Sequence, residues 1–271
     1  MSLRIQTNIE AYDAHRNLVN TENQMSTAME RLSSGFRINR AADDAAGLAI
    51  SEKLQAQIGG LDQAQRNAQD AVSLVQTGEG ALAEVQSMLQ RVRDLAVQFN
   101  NGTLSTSDQA AITAEVAQLC AEVSDIGSQT QFNGINLLTG TSTITFQVGS
   151  NDGQTINVSA VQLFGSGASY QVDAAVFNFS GTVNLASIDA AIQNVSNSRS
   201  TFGSVQNRLD HRLNNLATYE ENLQASESSI KDVDMASEMT KFTQLQILQQ
   251  AGTAMLAQAN AAPQSVLKLL Q

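Results

Sequence analysis

A run of apolar residues spaced seven apart, in the last third of the chain, constrains the fold more than any other feature. A seven-residue apolar spacing places one buried seam along an α-helix. No proline interrupts it, and at 1.5 Å per residue the helix would be about 65 Å long, longer than a compact domain of this size is wide. The spacing therefore predicts an elongated molecule. The run consists of Ile188, Val195, Phe202, Leu209, Leu216, Leu223 and Ile230.

A comparable ladder of small and branched apolar residues lies in the first half of the chain. Two long helices, each apolar along one side, bury their seams best against each other. The sequence therefore predicts a mainly α protein: an elongated helical rod in which long antiparallel coiled-coil helices come from both chain ends. The second ladder consists of Ala68, Val75, Leu82, Leu89 and Ala96, interleaved with Ala71, Val85, Val92 and Phe99.

The rest of the chain is assigned from periodicity and breaker residues. Residues 143–148 and 155–158 alternate apolar and polar side chains around a glycine-containing turn, which predicts a small β-hairpin at about 141–165. The Gly- and Ser-rich stretch 165–186 is expected to be irregular or weak strand. The predicted helices are 3–33, 44–58, 61–99, a helix capped by Ser107-Asp108 and ending near Gly127, 187–232 and 236–262.

Charge and composition exclude several functional classes. Residues 41–230 carry seven basic and nineteen acidic side chains, whereas residues 1–40 and 231–271 are close to neutral. No Lys or Arg lies between Asp94 and Ser198, which argues against binding of nucleic acid or of anionic membranes. No apolar run is long enough to span a membrane, and no cleavable secretory signal is expected at the start.

Residues that could support catalysis are few, and each has a simpler structural role. Cys120 has no partner cysteine and is expected to be a packed free thiol. His15 and His211 have charged neighbours and no metal-ligand spacing, so both are expected to be solvated or interface side chains. The Asp43-Asp44 pair precedes a predicted helix and favours capping. We therefore predict no catalytic, cofactor-binding or metal-binding residues.

Several long, ordered motifs nevertheless have a recognisable pattern. The motifs are RLSSGFRIN at 31–39, AADDAAGLAIS at 41–51, QRVRDLAVQ at 90–98, QTQFNG at 129–134 and PQSVLKLL at 263–270. Together they resemble the conserved signatures of bacterial flagellin, over about residues 1–140 and 187–271. The family often inserts globular outer domains between these parts, whereas only about 45 residues intervene here. The chain resembles a short flagellin that lacks large outer domains.

The resemblance implies an architecture and a life cycle. Residues 1–40 with 231–271 correspond to the inner terminal coiled-coil domain, and residues 41–230 correspond to the helical rod domain. The implied function is a secreted structural subunit, exported unfolded, that assembles with itself into the extracellular filament for swimming. Its implied partners are the export apparatus, an export chaperone, and the filament cap and junction proteins. Apolar side chains at the two ends are expected to drive assembly: Leu18, Met25, Leu32, Phe242, Leu245, Leu248, Met255 and Leu256.

The resemblance also implies one surface of contact. In flagellins the stretch matching 90–95 is both an axial subunit contact and the epitope of the flagellin-sensing Toll-like receptor of animals. Carried over, the contact residues are Gln90, Arg91, Leu95 and, on the next helix, Glu115. The helical spacing predicts that Arg91 and Leu95 lie outside the buried seam. A junction protein between hook and filament is the alternative function, and an enzyme on a helical scaffold is the remote one.

Overall fold

The computed structural model describes residues 8–140, 142–165, 171–179, 181 and 183–269. This part of the chain is mainly helical, which confirms the predicted fold class. The helices are α1 (Ile9–Ser34), α2 (Ala45–Phe99), α3 (Thr106–Gln129), α4 (Leu185–Lys231) and α5 (Met235–Leu269), with a short 3₁₀ helix at Ala174–Phe177. The strands are β1 (Gln131–Phe132), β2 (Ile135–Asn136), β3 (Thr143–Gln147), β4 (Thr155–Ser159), β5 (Phe164–Gly165) and β6 (Val172–Asp173).

The chain divides into two compact units. The body unit is Gln57–Glu221, and the terminal unit is Met1–Ala56 together with Asn222–Gln271. Helices α2 and α4 each contribute to both units, whereas α3 and all the strands belong to the body unit.

In the body unit, α2 and α4 pack side by side in opposite directions, as the two ladders predict. Arg93 on α2 meets Asp189 on α4, Gln86 meets Arg199, and Gln65 meets Glu220. The residue numbers of these partners rise along α4 as they fall along α2, so the two helices are antiparallel. The ladder residues of the body unit are buried, among them Ala68, Val75, Leu82, Leu89, Ile188, Val195, Phe202 and Leu209.

The predicted β-hairpin is confirmed. Strands β3 and β4 pair antiparallel, with Thr145 opposite Asn157 at the centre of the register. The hairpin is anchored on both long helices: Asn67 Nδ2 of α2 donates to the Gln147 carbonyl at 3.0 Å, and Arg212 Nε of α4 donates to the Val148 carbonyl at 2.9 Å. Strands β1 and β2 form a second antiparallel pair, and β5 and β6 a parallel one.

The predicted break between helices 44–58 and 61–99 is wrong, because α2 runs without interruption through Gly59 and Gly60. A Cβ atom on Gly60 would lie 3.0 Å from the Ser150 Cβ, so this glycine allows the hairpin turn to approach the helix. A glycine in a helix interior costs only about 1 kcal/mol relative to alanine. Burial of the next residue, Leu61, which is 1% exposed, offsets a cost of that size.

Two predicted helix ends also differ from the observed ones. Helix α3 is capped by Ser105 rather than by Ser107-Asp108: the Asp108 N–H donates to Ser105 Oγ, and the Ser105 N–H donates to Asp108 Oδ2. Hydrogen bonds from the Ser105 side chain and backbone lower the pKa of Asp108. Helix α5 continues to Leu269 instead of ending at 262. Of the predicted helix 3–33, residues 3–7 lie outside the described residues.

The terminal unit is built on an antiparallel pair of α1 and α5. Asn8 Nδ2 near the start of α1 donates to the Ala259 carbonyl of α5 at 2.8 Å. Farther along, the Leu18 side chain lies against Gly252, where a Cβ atom would be 3.3 Å from it. The predicted amphipathic helices at the two chain ends therefore cover part of each other's apolar surface.

The predicted capping role of the Asp43-Asp44 pair is confirmed for Asp44, whereas Asp43 bonds within the turn that precedes α2. Asp44 Oδ1 accepts a hydrogen bond from the Gly47 N–H at 2.9 Å in the first turn of α2. Asp43 Oδ2 accepts from the N–H groups of Arg40 and Asn39. These two bonds, helped by the positive charges of Arg31 and Arg40, lower the pKa of Asp43. Both carboxylates thus hold the segment between α1 and α2.

Candidate functional site

The predicted contact surface on α2 contains an ion pair that the sequence did not indicate. Arg91 on α2 donates to Glu115 Oε1 on α3 through Nε at 2.9 Å and through Nη2 at 2.7 Å. The side chains are 54% and 44% exposed, so solvent limits the contribution of the pair to stability to about 0.2–1 kcal/mol. Gln90 is exposed beside Arg91. Three of the four predicted residues are therefore accessible on one side of the body unit.

The fourth residue, Leu95, is not on the surface. It is 2% exposed and belongs to the hydrophobic core, so the expectation that it lies outside the seam is wrong. The physical reason is that α2 has a helix on each of two sides, since it pairs with α4 and also meets α3 through Arg91 and Glu115. Its buried stripe is accordingly wider than the seam of a two-helix coiled coil.

The eight predicted assembly residues differ in exposure. Leu245 is 5% exposed and is therefore already covered within its own chain. Leu18, Met25, Leu32, Phe242 and Leu256 are half-buried. Only Leu248 and Met255 are strongly exposed, at 47% and 67%. Of the eight side chains, Leu248 and Met255 therefore leave the most apolar surface open to solvent in the isolated chain.

Both terminal helices expose further large apolar side chains that sequence periodicity did not single out. We call all the exposed apolar side chains on α1 and α5 the terminal apolar face. On α5 its members include the predicted Leu248 and Met255. Large apolar side chains exposed in this number along two paired helices favour a site of protein interaction. The face consists of Ile9, Tyr12, Val19 and Met29 on α1, and Met235, Met239, Ile247, Leu248 and Met255 on α5.

The candidate catalytic side chains lie on three different helices. Cys120 is half-buried on α3, and burial raises the pKa of its thiol, which disfavours the reactive thiolate. His15 and His211 are both exposed. Within the described ranges, no three His, Cys, Asp or Glu side chains are placed to hold a metal ion. In the same ranges, no helix has both the length and the apolar character needed to cross a bilayer.

Comparison with known proteins supports the resemblance along the chain. A family model described as the bacterial flagellin N-terminal helical region matches residues 5–143, and one described as the bacterial flagellin C-terminal helical region matches residues 185–270. A flagellin of Halalkalibacterium halodurans is 51% identical over 270 residues, which cover 98% of this chain and 99% of the relative. A flagellin of Bacillus subtilis is 42% identical, with 99% and 100% covered.

A solved structure shares the fold. A putative flagellar hook-associated protein from Vibrio parahaemolyticus covers 70% of this chain and 100% of its own with a TM-score of 0.59. Its sequence identity is 17%, so the likeness concerns the fold alone. The two family models together span both helical ends, and the flagellins of both Halalkalibacterium and Bacillus match over nearly their whole length. The chain therefore belongs to the bacterial flagellin family, whose members are structural proteins and not enzymes.

Proposed function

We propose that this chain is the structural subunit of a bacterial flagellar filament and that it polymerises through its terminal unit. The observation that carries the proposal is the match to flagellins at both helical ends, where the structure also exposes the terminal apolar face. Nothing in these comparisons favours the alternative, a junction protein between hook and filament, because the likeness to a putative hook-associated protein at 17% identity concerns the fold alone.

The terminal apolar face supplies the driving force in this proposal. Burial of apolar surface contributes about 25 cal/mol per Å², and a long side chain such as Met or Ile contributes about 1.5–3 kcal/mol when it becomes fully buried. Ile247 and Met255 are 60% and 67% exposed in the isolated chain. Packing α1 and α5 against the same helices of neighbouring copies would remove these side chains from water.

The proposed layers follow from the same division of the chain. We assign residues 1–40 and 231–271 to the inner layer of the filament and residues 41–230 to the wall around it. The compact terminal unit is somewhat larger, since it extends to Ala56 and begins again at Asn222. We infer that these additional residues connect the two layers. The acidic surface of the body unit then faces water, because its fifteen carboxylates outnumber its six arginines.

Export, location and partners complete the proposal. We propose that the subunit leaves the cell unfolded through the export apparatus, with an export chaperone bound beforehand, and folds at the growing tip under the cap protein. Junction proteins would connect the finished filament to the hook. Cys120 is the single cysteine and Pro263 the single proline, so neither a disulfide within the chain nor many slow proline isomerisations would delay export or folding.

We propose the exposed group of Gln90, Arg91 and Glu115 as the axial contact and as the surface available to the flagellin-sensing receptor. Arg91 presents a planar guanidinium beside an exposed amide, a combination suited to a small polar contact. Leu95, four residues farther along α2, is buried and contributes to the core instead of to this exposed group.

Polymerisation should accelerate as ionic strength rises. The body unit carries an excess of negative charge, and salt screens repulsion between charges farther apart than about 8 Å at 0.15 M. Purified protein in a salt series should form filaments visible by electron microscopy, with a growth rate that increases with salt. Protein that stays monomeric at every salt concentration would refute the proposed function. A growth rate independent of salt would refute the role of body charge.

Arg91→Ala should weaken contacts without unfolding the subunit. We expect a loss of about 1–3 kcal/mol in whichever contact uses the side chain. Stability should fall by less than about 1 kcal/mol, since the pair with Glu115 is half-exposed. Filament elongation and receptor activation are the two measurements. Arg66→Ala is a matched control, because Arg66 forms an exposed ion pair with Asp62 on the same helix. Normal elongation and normal activation in Arg91→Ala would exclude this surface from both roles.

A further inference from the structure

Some arginines of the body unit have an acidic partner within the chain and others have none among the described residues. Four of the six form ion pairs within the chain: Arg66 with Asp62, Arg91 with Glu115, Arg93 with Asp189 and Arg199 with Glu79. Arg208 and Arg212 form no ion pair with any described residue. In a unit with fifteen carboxylates, these two guanidinium groups are the ones left for an external anion.

Both of these arginines line one groove, which lies between α4 and the β3–β4 hairpin. The groove has a volume of about 600 Å³ and is open to solvent. Arg212 is positioned by its bond to the Val148 carbonyl at 2.9 Å. Arg208 is exposed and has no hydrogen-bond partner in the described part of the chain. Other polar side chains on the groove wall are His211, Asn215, Gln154 and Thr155.

Nearby acidic side chains do not occupy the groove. Asp210 lies between the groove residues in sequence but faces another side of α4, since positions 208, 211, 212 and 215 share one helical face. Asp152 is in the hairpin turn, next to the groove residue Gly153, but does not line the groove. The groove therefore presents two guanidinium groups about one helical turn apart, with hydrogen-bond donors around them.

Helix α3 carries the matching acidic group. Glu122 and Asp125 are exposed, lie three residues apart, and form no ion pair with described residues. Other exposed carboxylates of the body-unit helices without an ion pair, such as Asp70, Glu84 and Asp94, have no acidic neighbour at that spacing. Helical residues three or four apart lie about 5–6 Å from each other, so two carboxylates three residues apart are separated by a distance similar to that of two arginines four residues apart.

We propose that the groove formed by α4 and the hairpin binds the Glu122–Asp125 pair of a second copy of this chain. Groove and acidic pair lie on different elements of the same subunit, so the contact joins two different surfaces. Such a head-to-tail contact repeats from copy to copy and produces an open helical polymer unless it closes into a ring. The inference rests on the proposed filament function, to which it adds a specific contact within the body layer.

A charge exchange tests the contact. Arg208→Glu and Glu122→Arg should each reduce elongation from preformed seeds about tenfold, because each variant places like charges opposite each other. The double variant Arg208→Glu/Glu122→Arg restores opposite charges and should elongate within about threefold of the unmodified protein. Arg66→Glu introduces the same charge change elsewhere on the body unit and should leave elongation within about twofold. Thermal unfolding of each unpolymerised variant verifies that it folds.

The outcomes separate this inference from the proposed function. If the unmodified protein does not elongate, the filament function itself is wrong. If it elongates and the double variant is no faster than the single variants, the pairing of the groove with α3 is wrong. If Arg208→Glu slows elongation and Glu122→Arg does not, the groove binds some other group and the assignment to Glu122–Asp125 is overturned.

Discussion

Deletion of both chain ends, residues 1–35 and 240–271, is expected to abolish polymerisation and leave a soluble, helical monomer. The core of the body unit is formed by α2 and α4 together with α3 and the strands, all of which remain after the deletion. The deleted segments contain most of the terminal apolar face. Electron microscopy of the truncated protein detects filaments, and sedimentation shows whether it is a soluble monomer. Circular dichroism measures its helix content.

Deletion of one chain end alone, either residues 1–35 or residues 240–271, provides a comparison for the double deletion. Because α1 and α5 cover each other, removal of only one exposes apolar surface on the other, including the normally buried Leu245. Each single truncation should therefore also fail to form filaments and should be less soluble than the double truncation. Filaments of normal diameter from any of the three truncated proteins would show that the terminal unit does not join the subunits.

Leu95→Ala is expected to lower the free energy of unfolding strongly. The same substitution at an exposed position would change it little. Truncation of a fully buried leucine to alanine costs about 2–5 kcal/mol, because a cavity remains where the side chain packed. The effect should equal that of Leu89→Ala, since both side chains are at most 2% exposed. Urea unfolding of the unpolymerised protein measures the change.

Val97→Ala is the matched control for Leu95→Ala. Val97 is on the same helix and is 52% exposed, so its truncation should change the free energy of unfolding by less than about 0.5 kcal/mol. Stability of Leu95→Ala equal to that of the unmodified protein would mean that this side chain is not in the core. Any loss of receptor activation in Leu95→Ala should follow the loss of stability, whereas Arg91→Ala should lose activation at normal stability.

Helical periodicity predicted the long elements well because every turn of α2 and α4 repeats the same signal. The ladder from Ala68 to Ala96 and the ladder from Ile188 to Leu216 are buried throughout. Periodicity is misleading where one residue type allows two different local structures. Gly59 and Gly60 favour a helix break, whereas α2 continues through them and Gly60 allows close approach of the hairpin at Ser150. Such an approach depends on a contact between residues far apart in sequence.

The contact surfaces are hard to predict because they depend on which elements pack against each other. A heptad seam describes a helix with one neighbour and predicts Leu95 outside the core, whereas α2 has two neighbouring helices and buries this side chain. The groove containing Arg208 and Arg212 was not predicted, because it exists only where the hairpin meets α4. Its one sequence signal is two arginines four residues apart in an acidic region, and that spacing alone also fits a solvated helix surface.

We expect the terminal apolar face to be exposed in the monomer and buried between copies in the polymer. Thiol labelling of Ile247→Cys in a Cys120→Ser background measures this directly, since Ile247 is 60% exposed on α5. We predict that polymerisation slows the labelling rate at least about tenfold. Ser87→Cys, at an exposed position of the body unit, shows that the reagent reaches the polymer. An equal labelling rate of Ile247→Cys in monomer and polymer would show that the terminal apolar face is not buried between copies.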